Sequence, residues 1–266
     1  MPDAEPTLTA PLTGRRRLYL MRHGHVDYFA PGLTDFRQVP LTERGRAQAR
    51  AAGEALKDAP LDAAFHSGLP RTRETCALVL AARGGAAHAP APEARPAFEE
   101  LRGGTVEAQS REELAAWLAF SFDAAGEPGA SFLPGGEPFA DAYDRLVAGL
   151  RALIEAPWRT ALLVAHEGVN RLLLGHAAGA GPAGCAHFEQ DLACVNVLDL
   201  DVARDDDGGL VLLRTVIKQV NLTADDPVKT GLPRTSLEHL FGIDFGGARP
   251  ARRPPRRPGR ERPGEG

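Results

Sequence analysis

Three short segments of this sequence place histidine, serine or arginine directly after an apolar run. They are Arg22-His23-Gly24, Ser67-Gly68-Leu69-Pro70-Arg71 and Val164-Ala165-His166-Glu167-Gly168. Ligands of open α/β sheets bind where strands end, so these side chains can meet in one site. Taken singly, the first segment is more often a surface pair and the third a buried core histidine. Their combination is typical of phosphoryl chemistry.

The chemistry of a phosphomonoester suggests a role for each of these residues. The substrate carries about two negative charges at neutral pH, and arginine forks match its oxygens bidentately, so Arg22 and Arg71 would form a clamp. A neutral imidazole can attack phosphorus, which makes His23 the candidate nucleophile, with its other nitrogen bonded to a carbonyl near Gly24. Gly24 would also allow close approach of backbone and phosphate. His166, protonated beside phosphate, would donate a further hydrogen bond.

A carboxylic acid is needed to protonate the leaving alkoxide and then to activate water. The segment Phe98-Glu99-Glu100-Leu101-Arg102-Gly103-Gly104 offers two. The sequence alone therefore leaves Glu99 and Glu100 as alternatives.

The three segments, in this order, resemble the histidine phosphatase superfamily, the phosphoglycerate-mutase-like enzymes. The resemblance spans about residues 17–222, and further matches are Leu41-Thr42 with Gly45 and Gln48, Pro134-Gly135-Gly136-Glu137, and Arg145. It implies a phosphohistidine enzyme whose site consists of Arg22, His23, Arg71, Glu100 and His166. Glu100 is favoured over Glu99 because the family pattern resembles E-x-x-x-G, and Gly104 supplies that glycine. No metal or organic cofactor is implied.

Departures from the family pattern bear on the substrate. Mutases of this superfamily usually carry Asn six residues after the nucleophile, where this chain has Phe29, and the common R-H-G-E-T reads Arg22-His23-Gly24-His25-Val26. An apolar side chain cannot hydrogen-bond a phosphoglycerate, so these changes favour a hydrolase over a mutase. We expect His25, Phe29, Glu99 and Glu167 to line the substrate pocket.

Two alternatives from other classes remain at this stage. His23-x-His25 also resembles paired zinc ligands of metal-dependent hydrolases, with His66 and His166 as further ligands, but that scheme leaves Arg22, Arg71 and Glu100 without roles. The other alternative is a member of the fold that only binds phosphorylated ligands. Such members lack the nucleophile or the acid, and candidates for both are present here.

Short β-like runs alternate with longer helical ones along the chain. Strands are predicted at 17–21, 61–65, 160–165, 195–201 and 210–219, a short extended piece at 97–101, and helices at 47–57, 71–82, 111–122, 138–155 and 169–178. This order predicts an α/β fold with a mostly parallel sheet sandwiched by helices. Residues 101–136 would form a small inserted helical cap, whose aromatics either wall the substrate or close the cap's own core: Trp117, Phe120, Phe122 and Phe132.

Composition bounds the organisation of the molecule. The 266 residues are 43% apolar and 25% charged with a net charge of -4, an ordinary globular balance that argues against binding nucleic acid through bulk charge. Three cysteines without a C-x-x-C pair, and the lack of a long apolar run, favour a cytoplasmic protein that does not enter membranes. A phosphatase domain is expected at 17–246, between a flexible start at 1–16 and a disordered Arg/Pro-rich tail at 247–266. The expected partner is a small phosphomonoester, and a homodimer is left open.

Overall fold

The computed structural model describes residues 13–84, 89–105, 110–231 and 234–244. The strands are β1 (Gly14–Arg22), β2 (Ala63–His66), β3 (Pro92–Ala94), β4 (Thr160–Ala165), β5 (Val195–Arg204) and β6 (Leu210–Leu222). The α-helices are α1 (Glu43–Ala55), α2 (Pro70–Ala82), α3 (Arg111–Ala119), α4 (Phe139–Ile154), α5 (Glu167–Ala177) and α6 (Ser236–Phe241), and 3₁₀ turns lie at Pro96–Phe98, Ser121–Ala124 and Pro182–His187.

The six strands form one sheet in the order β3-β2-β4-β1-β5-β6. The first four run parallel, whereas β5 pairs antiparallel with both β1 and β6. The register sets Arg22 opposite Ala165, and His66 opposite Val164. The carboxyl ends of β1, β2 and β4 therefore lie side by side. The prediction of an α/β fold with a mostly parallel sheet is confirmed.

Strand β4 shows why both faces of the sheet carry helices. All six of its residues are buried, as expected of a central parallel strand. Successive side chains of a strand point to opposite faces, and Leu163 packs with Phe139 of α4, whereas Val164 packs with Val79 of α2. The sheet is thus packed between two apolar layers, one on each face.

Several predicted boundaries were wrong for local reasons. Helix α1 begins at Glu43, four residues before the predicted 47. Thr42 was expected as its N-cap, and the Thr42 side chain does accept a hydrogen bond from the Gly45 amide. The extended piece at 97–101 is instead a 3₁₀ turn that starts at Pro96, and the neighbouring strand is β3. The helix predicted at 111–122 ends at Ala119 and gives way to the turn Ser121–Ala124.

The start of the chain is ordered earlier than expected. Strand β1 begins at Gly14, inside the segment 1–16 predicted to be flexible. Arg16 is fully buried, and its Nη1 donates to the carbonyls of Ile154 (2.7 Å) and Ala156 (3.0 Å). Residues 1–12 and the tail at 247–266 lie outside the described residues, so those predictions stay predictions.

The described part of the predicted cap, 101–136 without 106–109, adds to the main core. Phe122 is buried, and its ring centroid lies 5.0 Å from that of Phe132 and 5.9 Å from that of Phe139. Those two aromatics of the cap therefore pack in the core. Trp117 and Phe120 are half-buried.

Two further features complete the fold. The three cysteines, Cys76, Cys185 and Cys194, are all buried and unpaired. Within the ranges described above, no helix has both the length and the apolar character needed to span a membrane.

Candidate active site

The carboxyl ends of β1, β2 and β4 bring the three predicted segments together. The His23 amide donates to the Ala165 carbonyl (3.1 Å), and the Ser67 amide donates to the Val164 carbonyl (3.2 Å), so the sheet ladder continues into the loops that bear the side chains. Pro70 then starts α2, where its missing N–H is no loss, and places Arg71 in the first helical turn.

His23 is buried, and one of its ring nitrogens is hydrogen-bonded to the backbone. Its Nδ1 lies 2.8 Å from the Gly24 carbonyl oxygen. A carbonyl only accepts hydrogen bonds, so Nδ1 carries the proton and Nε2 keeps its lone pair. Burial, together with the charges of Arg71 and Arg22, lowers the pKa of His23 well below its usual value. The ring is therefore neutral at neutral pH, with the Nε2 lone pair available.

Arg22 and Arg71 are buried with part of their donor sets unused. The Nη2 of Arg22 pairs with Glu167 Oε2 at 3.0 Å, and its Nη1 donates to the Gln190 carbonyl. The Nη1 of Arg71 donates to the Phe36 carbonyl at 3.1 Å. The buried Nε of each arginine has no partner among the described residues. Buried donors are normally satisfied, so this arrangement is suited to an anion.

His166 contributes a third unused polar atom. It is fully buried, its ring centroid lies 5.3 Å from that of His23, and its Nε2 lies 2.8 Å from the Ser67 hydroxyl. Its Nδ1 is buried without a partner in the described part of the chain. Burial, and then Arg71 and His23, lower the pKa of His166 well below its usual value. A bound anion would oppose that effect and would occupy the free nitrogen.

The two candidate acids have different surroundings. Glu99 Oε2 accepts from Arg37 Nη2 at 2.8 Å, so that carboxylate is held in an ion pair. Among the described residues, Glu100 Oε1 accepts only from the Leu101 amide, at 3.0 Å. Burial raises the pKa of Glu100 against the opposing effects of that bond and of Arg71. A Cβ on Gly168 would lie 2.8 Å from Glu100 Oε1, which places this carboxyl against the first turn of α5, beside His166. The surroundings favour Glu100 as the proton donor.

Gly24 has a different use from the one expected. A Cβ there would overlap the Gly45 carbonyl, and a Cβ on Gly45 would overlap the His25 carbonyl. The absent side chains let the start of α1 pack directly on the loop after β1. The atoms nearest to a Cβ on Gly24 are thus backbone atoms of Gly45, and this contact is separate from any contact with phosphate.

Three residues expected to line the substrate pocket have other contacts. His25 Nδ1 lies 2.8 Å from the Thr42 hydroxyl, and this contact fastens the ring to the cap of α1. Phe29 is 49% exposed and makes an edge contact with Phe241, with 5.6 Å between ring centroids. Glu167 pairs with Arg22 through Oε2, and its Oε1 accepts from Arg171 and from the Ser236 hydroxyl.

Two partners of Glu167 were not predicted from the sequence, namely Arg171 and Ser236. Arg171 follows Glu167 by four residues on α5, and this spacing is a signal that sequence reading can use. Ser236 lies 69 residues away, and nothing local marks it. Ser67 was quoted in its segment without a role, and it supports His166.

The zinc-type alternative does not fit the positions of its ligands. No group of three or more His, Cys, Asp and Glu residues that could hold a metal ion is found in the described ranges. His25 is fastened to Thr42, and His66 Nδ1 accepts from the Gly68 amide at 3.0 Å. These histidines do not join His23 and His166 in one cluster.

Comparison with known proteins gives concordant matches. The model of the histidine phosphatase superfamily (branch 1) matches residues 18–209. The adenosylcobalamin/alpha-ribazole phosphatase of Salmonella typhimurium is 29% identical over 193 residues, 69% of this chain and 90% of that protein. The 2,3-bisphosphoglycerate-dependent phosphoglycerate mutase of Mesorhizobium japonicum is 46% identical over 72 residues, 26% of this chain and 35% of that protein. The solved alpha-ribazole phosphatase of Shigella flexneri superposes with a TM-score of 0.56 at 25% identity, covering 77% of this chain and 96% of that one.

Proposed function

The chain belongs to the histidine phosphatase superfamily, and on that premise we propose that it is a phosphomonoesterase that hydrolyses a small phosphorylated metabolite through a phosphohistidine on His23. One observation carries the proposal. Arg22, Arg71 and His166 meet around the neutral ring of His23, and each has one buried polar atom without a partner in the part of the chain that the structure describes. A phosphoryl group supplies the oxygens that these atoms lack.

The first chemical step is transfer of the phosphoryl group to the protein. The Nε2 lone pair of His23 attacks phosphorus, a P–N bond forms, and the ester P–O bond breaks. Arg22 and Arg71 hold the equatorial oxygens, on which charge is spread in the transition state. The leaving alkoxide takes the proton of Glu100, whose raised pKa keeps it protonated to a higher pH than usual.

The second step returns the protein to its starting state. Glu100, now a carboxylate, removes a proton from water, and the resulting hydroxide attacks phosphorus. The P–Nε2 bond breaks, inorganic phosphate leaves, and Glu100 is protonated again. His23 recovers its lone pair while its Nδ1 stays bonded to the Gly24 carbonyl.

Hydrolysis is favoured over a mutase reaction by two observations. The phosphatase relative matches over 90% of its own length, and the mutase relative over 35%. Phe29 stands where mutases usually carry Asn, and its ring packs on Phe241 without offering a hydrogen bond to a second substrate group. We therefore expect water to receive the phosphoryl group.

Removing the nucleophile tests the proposal. The full chain is assayed for phosphate release from p-nitrophenyl phosphate, alpha-ribazole 5′-phosphate, sugar phosphates and 3-phosphoglycerate, with formation of 2-phosphoglycerate followed separately. Activity should survive EDTA, be inhibited by vanadate, and disappear in His23→Ala. Quenching in alkali during turnover should trap a phosphorylated protein in the wild type only.

A histidine outside the site serves as the matched control. His187 is exposed, and His187→Ala should keep wild-type rates. Activity that persists in His23→Ala would contradict the nucleophile assignment, and activity that EDTA abolishes and zinc restores would contradict the mechanism. Interconversion of phosphoglycerates without net phosphate release would establish the mutase instead.

A further inference from the structure

A buried carboxylate connects the phosphate clamp to the C-terminal helix. Glu167 Oε2 pairs with Arg22 Nη2 at 3.0 Å. Its Oε1 accepts from Arg171 Nε at 3.1 Å and Nη2 at 2.9 Å, and from the Ser236 hydroxyl at 2.8 Å. The Glu167 side chain is only 6% exposed, so no bulk water stands in for these donors. Arg22 is therefore held by a carboxylate whose own orientation depends on Arg171 and Ser236.

Ser236 enters this network from outside the family-matched region, which ends at residue 209. It is the first residue of α6, and its amide donates to Glu189 Oε1 at 2.9 Å. The other oxygen of Glu189 accepts from Arg171 Nη2 at 3.0 Å. One serine thus donates to two acids that share Arg171.

The start of α6 is locally fixed, which keeps Ser236 in place. Thr235 and Glu238 form a reciprocal capping box: the Thr235 hydroxyl accepts from the Glu238 amide, and the Glu238 carboxylate accepts from the Thr235 amide. Gly242 ends the helix in the left-handed region, at φ 68°. The position of the Ser236 hydroxyl is therefore fixed by local contacts of α6 as well as by its hydrogen bond to Glu167.

We infer that Ser236 is a positioning residue, which acts through Glu167 to hold Arg22 in the orientation that receives phosphate. The inference rests on the proposed function only in that Arg22 binds a phosphoryl group. Without the hydroxyl, Oε1 keeps only the Arg171 donors, and Glu167 can rotate toward them. Arg22 would move with Glu167. Binding of phosphate would then have to reorient Arg22, and this cost would weaken the affinity for phosphate.

The hydroxyl can be separated from the rest of the helix. The apolar contacts of α6 come from other side chains, since Leu237 packs in the main core and Phe241 contacts Phe29. The Ser236 hydroxyl itself donates to Glu167. A change limited to that hydroxyl therefore leaves the apolar packing of the helix intact.

The test compares Ser236→Ala with Ser236→Thr in the full chain. Affinity for inorganic phosphate is measured by titration calorimetry, and KM and kcat are measured with p-nitrophenyl phosphate. We expect the Ala variant to bind phosphate about tenfold more weakly, the loss that one hydrogen bond to a charged group supports. KM should rise by a similar factor while kcat changes less, and Thr, which keeps the hydroxyl, should restore both.

A buried hydroxyl elsewhere controls for general destabilisation. Ser121 is buried and donates to the Leu118 carbonyl at 2.9 Å. Ser121→Ala should lower Tm to a similar extent as Ser236→Ala and leave the phosphate Kd unchanged. If Ser236→Ala does not fold, Ser236→Cys, which keeps the volume but is a weak donor, replaces it with the same expected loss.

Each outcome decides between the two proposals. A folded Ala or Cys variant that binds phosphate as tightly as the wild type would overturn the inference. So would a wild type that binds no phosphate, because there would be no anion for Arg22 to receive. Phosphate binding that depends on Ser236 in a chain without phosphatase activity would support the inference and refute the proposed function.

Discussion

Burial acts in opposite directions on the two groups that the proposed reaction needs in opposite protonation states. It lowers the pKa of His23, which must be neutral to attack, and raises the pKa of Glu100, which must be protonated to donate. Both shifts widen the pH range in which the two required forms coexist. On the acidic side, kcat/KM should fall as His23 gains a proton, and on the alkaline side as Glu100 loses one.

The neighbouring acids give a matched test of the donor. Glu100→Gln should lower kcat/KM for alkyl phosphates by about 10²- to 10³-fold, because an alkoxide leaves poorly without a proton. The loss should be smaller for p-nitrophenyl phosphate, whose phenolate leaves unaided, and the alkaline limb of the pH profile should vanish. Glu99→Gln, which breaks only the pair with Arg37, should keep both rate and profile. The reverse result would make Glu99 the acid.

For single residues, the sequence predicted which side chains converge at the site better than it predicted the hydrogen bonds and ion pairs that orient them. Arg22 ends β1, and His23 and His166 directly follow β1 and β4. Parallel neighbours end at one edge of a sheet, so the convergence of these residues follows from topology. The network around Glu167 was not predicted, because two of its three partners are distant in sequence: Arg22, at the end of β1, and Ser236, 69 residues onward. Only the tertiary fold brings these two to the carboxylate, whereas Arg171 follows it by four residues on α5.

Close backbone contacts between elements fix the loop that carries His23. The start of α1 packs so tightly on this loop that neither Gly24 nor Gly45 has room for a Cβ. The Gly24 amide also donates to the Thr75 hydroxyl of α2, at 3.1 Å. Two helices thus hold the residue that follows His23.

A single added methyl group tests this packing. An exposed helical Gly→Ala change usually stabilises a protein by about 0.5–1 kcal/mol, whereas Gly45→Ala should destabilise this one by about 2 kcal/mol or more, because the Cβ meets backbone that cannot yield. Denaturant unfolding measures the difference, and kcat/KM should fall with it. In Gly231→Ala the nearest atom to the new Cβ is an Asp226 oxygen at 3.5 Å, so its stability should stay near that of the wild type. Equal stabilities of the two variants would contradict the packing argument.

Three elements were predictable almost to the residue. Strand β4 and helices α2 and α4 fall within one residue of prediction at each end. Helix α6 was not predicted, since six residues carry too short a period to indicate a helix. Its stability comes from the capping box and from tertiary contacts of Leu237 and Phe241.

At the scale of the whole molecule, ordered structure continues beyond the family-matched region. Residues 234–244 return from β6 to the site, where α6 contacts Glu167 and packs against α3. The segment that follows, 247–266, holds seven arginines, two glutamates and no aliphatic side chain larger than Ala. The two parts of the C-terminus should therefore differ in what their removal does.

Two truncations measure that difference. A chain ending at residue 246 should match the full chain in Tm and kcat/KM, since the removed composition cannot bury apolar surface. A chain ending at residue 231 loses the buried side chains of Leu237 and Phe241, each worth about 1.5–3 kcal/mol, and its Tm should fall by several degrees or more. Loss of stability on removing only 247–266 would contradict the composition argument.

The burial of all three thiols has a consequence for the chemistry that the protein tolerates. Burial raises the pKa of Cys76, Cys185 and Cys194 to about 12 each, so reactive thiolate is scarce at neutral pH. Alkylating reagents and peroxide should leave the three thiols of the native protein unmodified without added reductant. Cysteine labelling would then become a gauge of unfolding, because a thiol reacts only in a molecule that has opened.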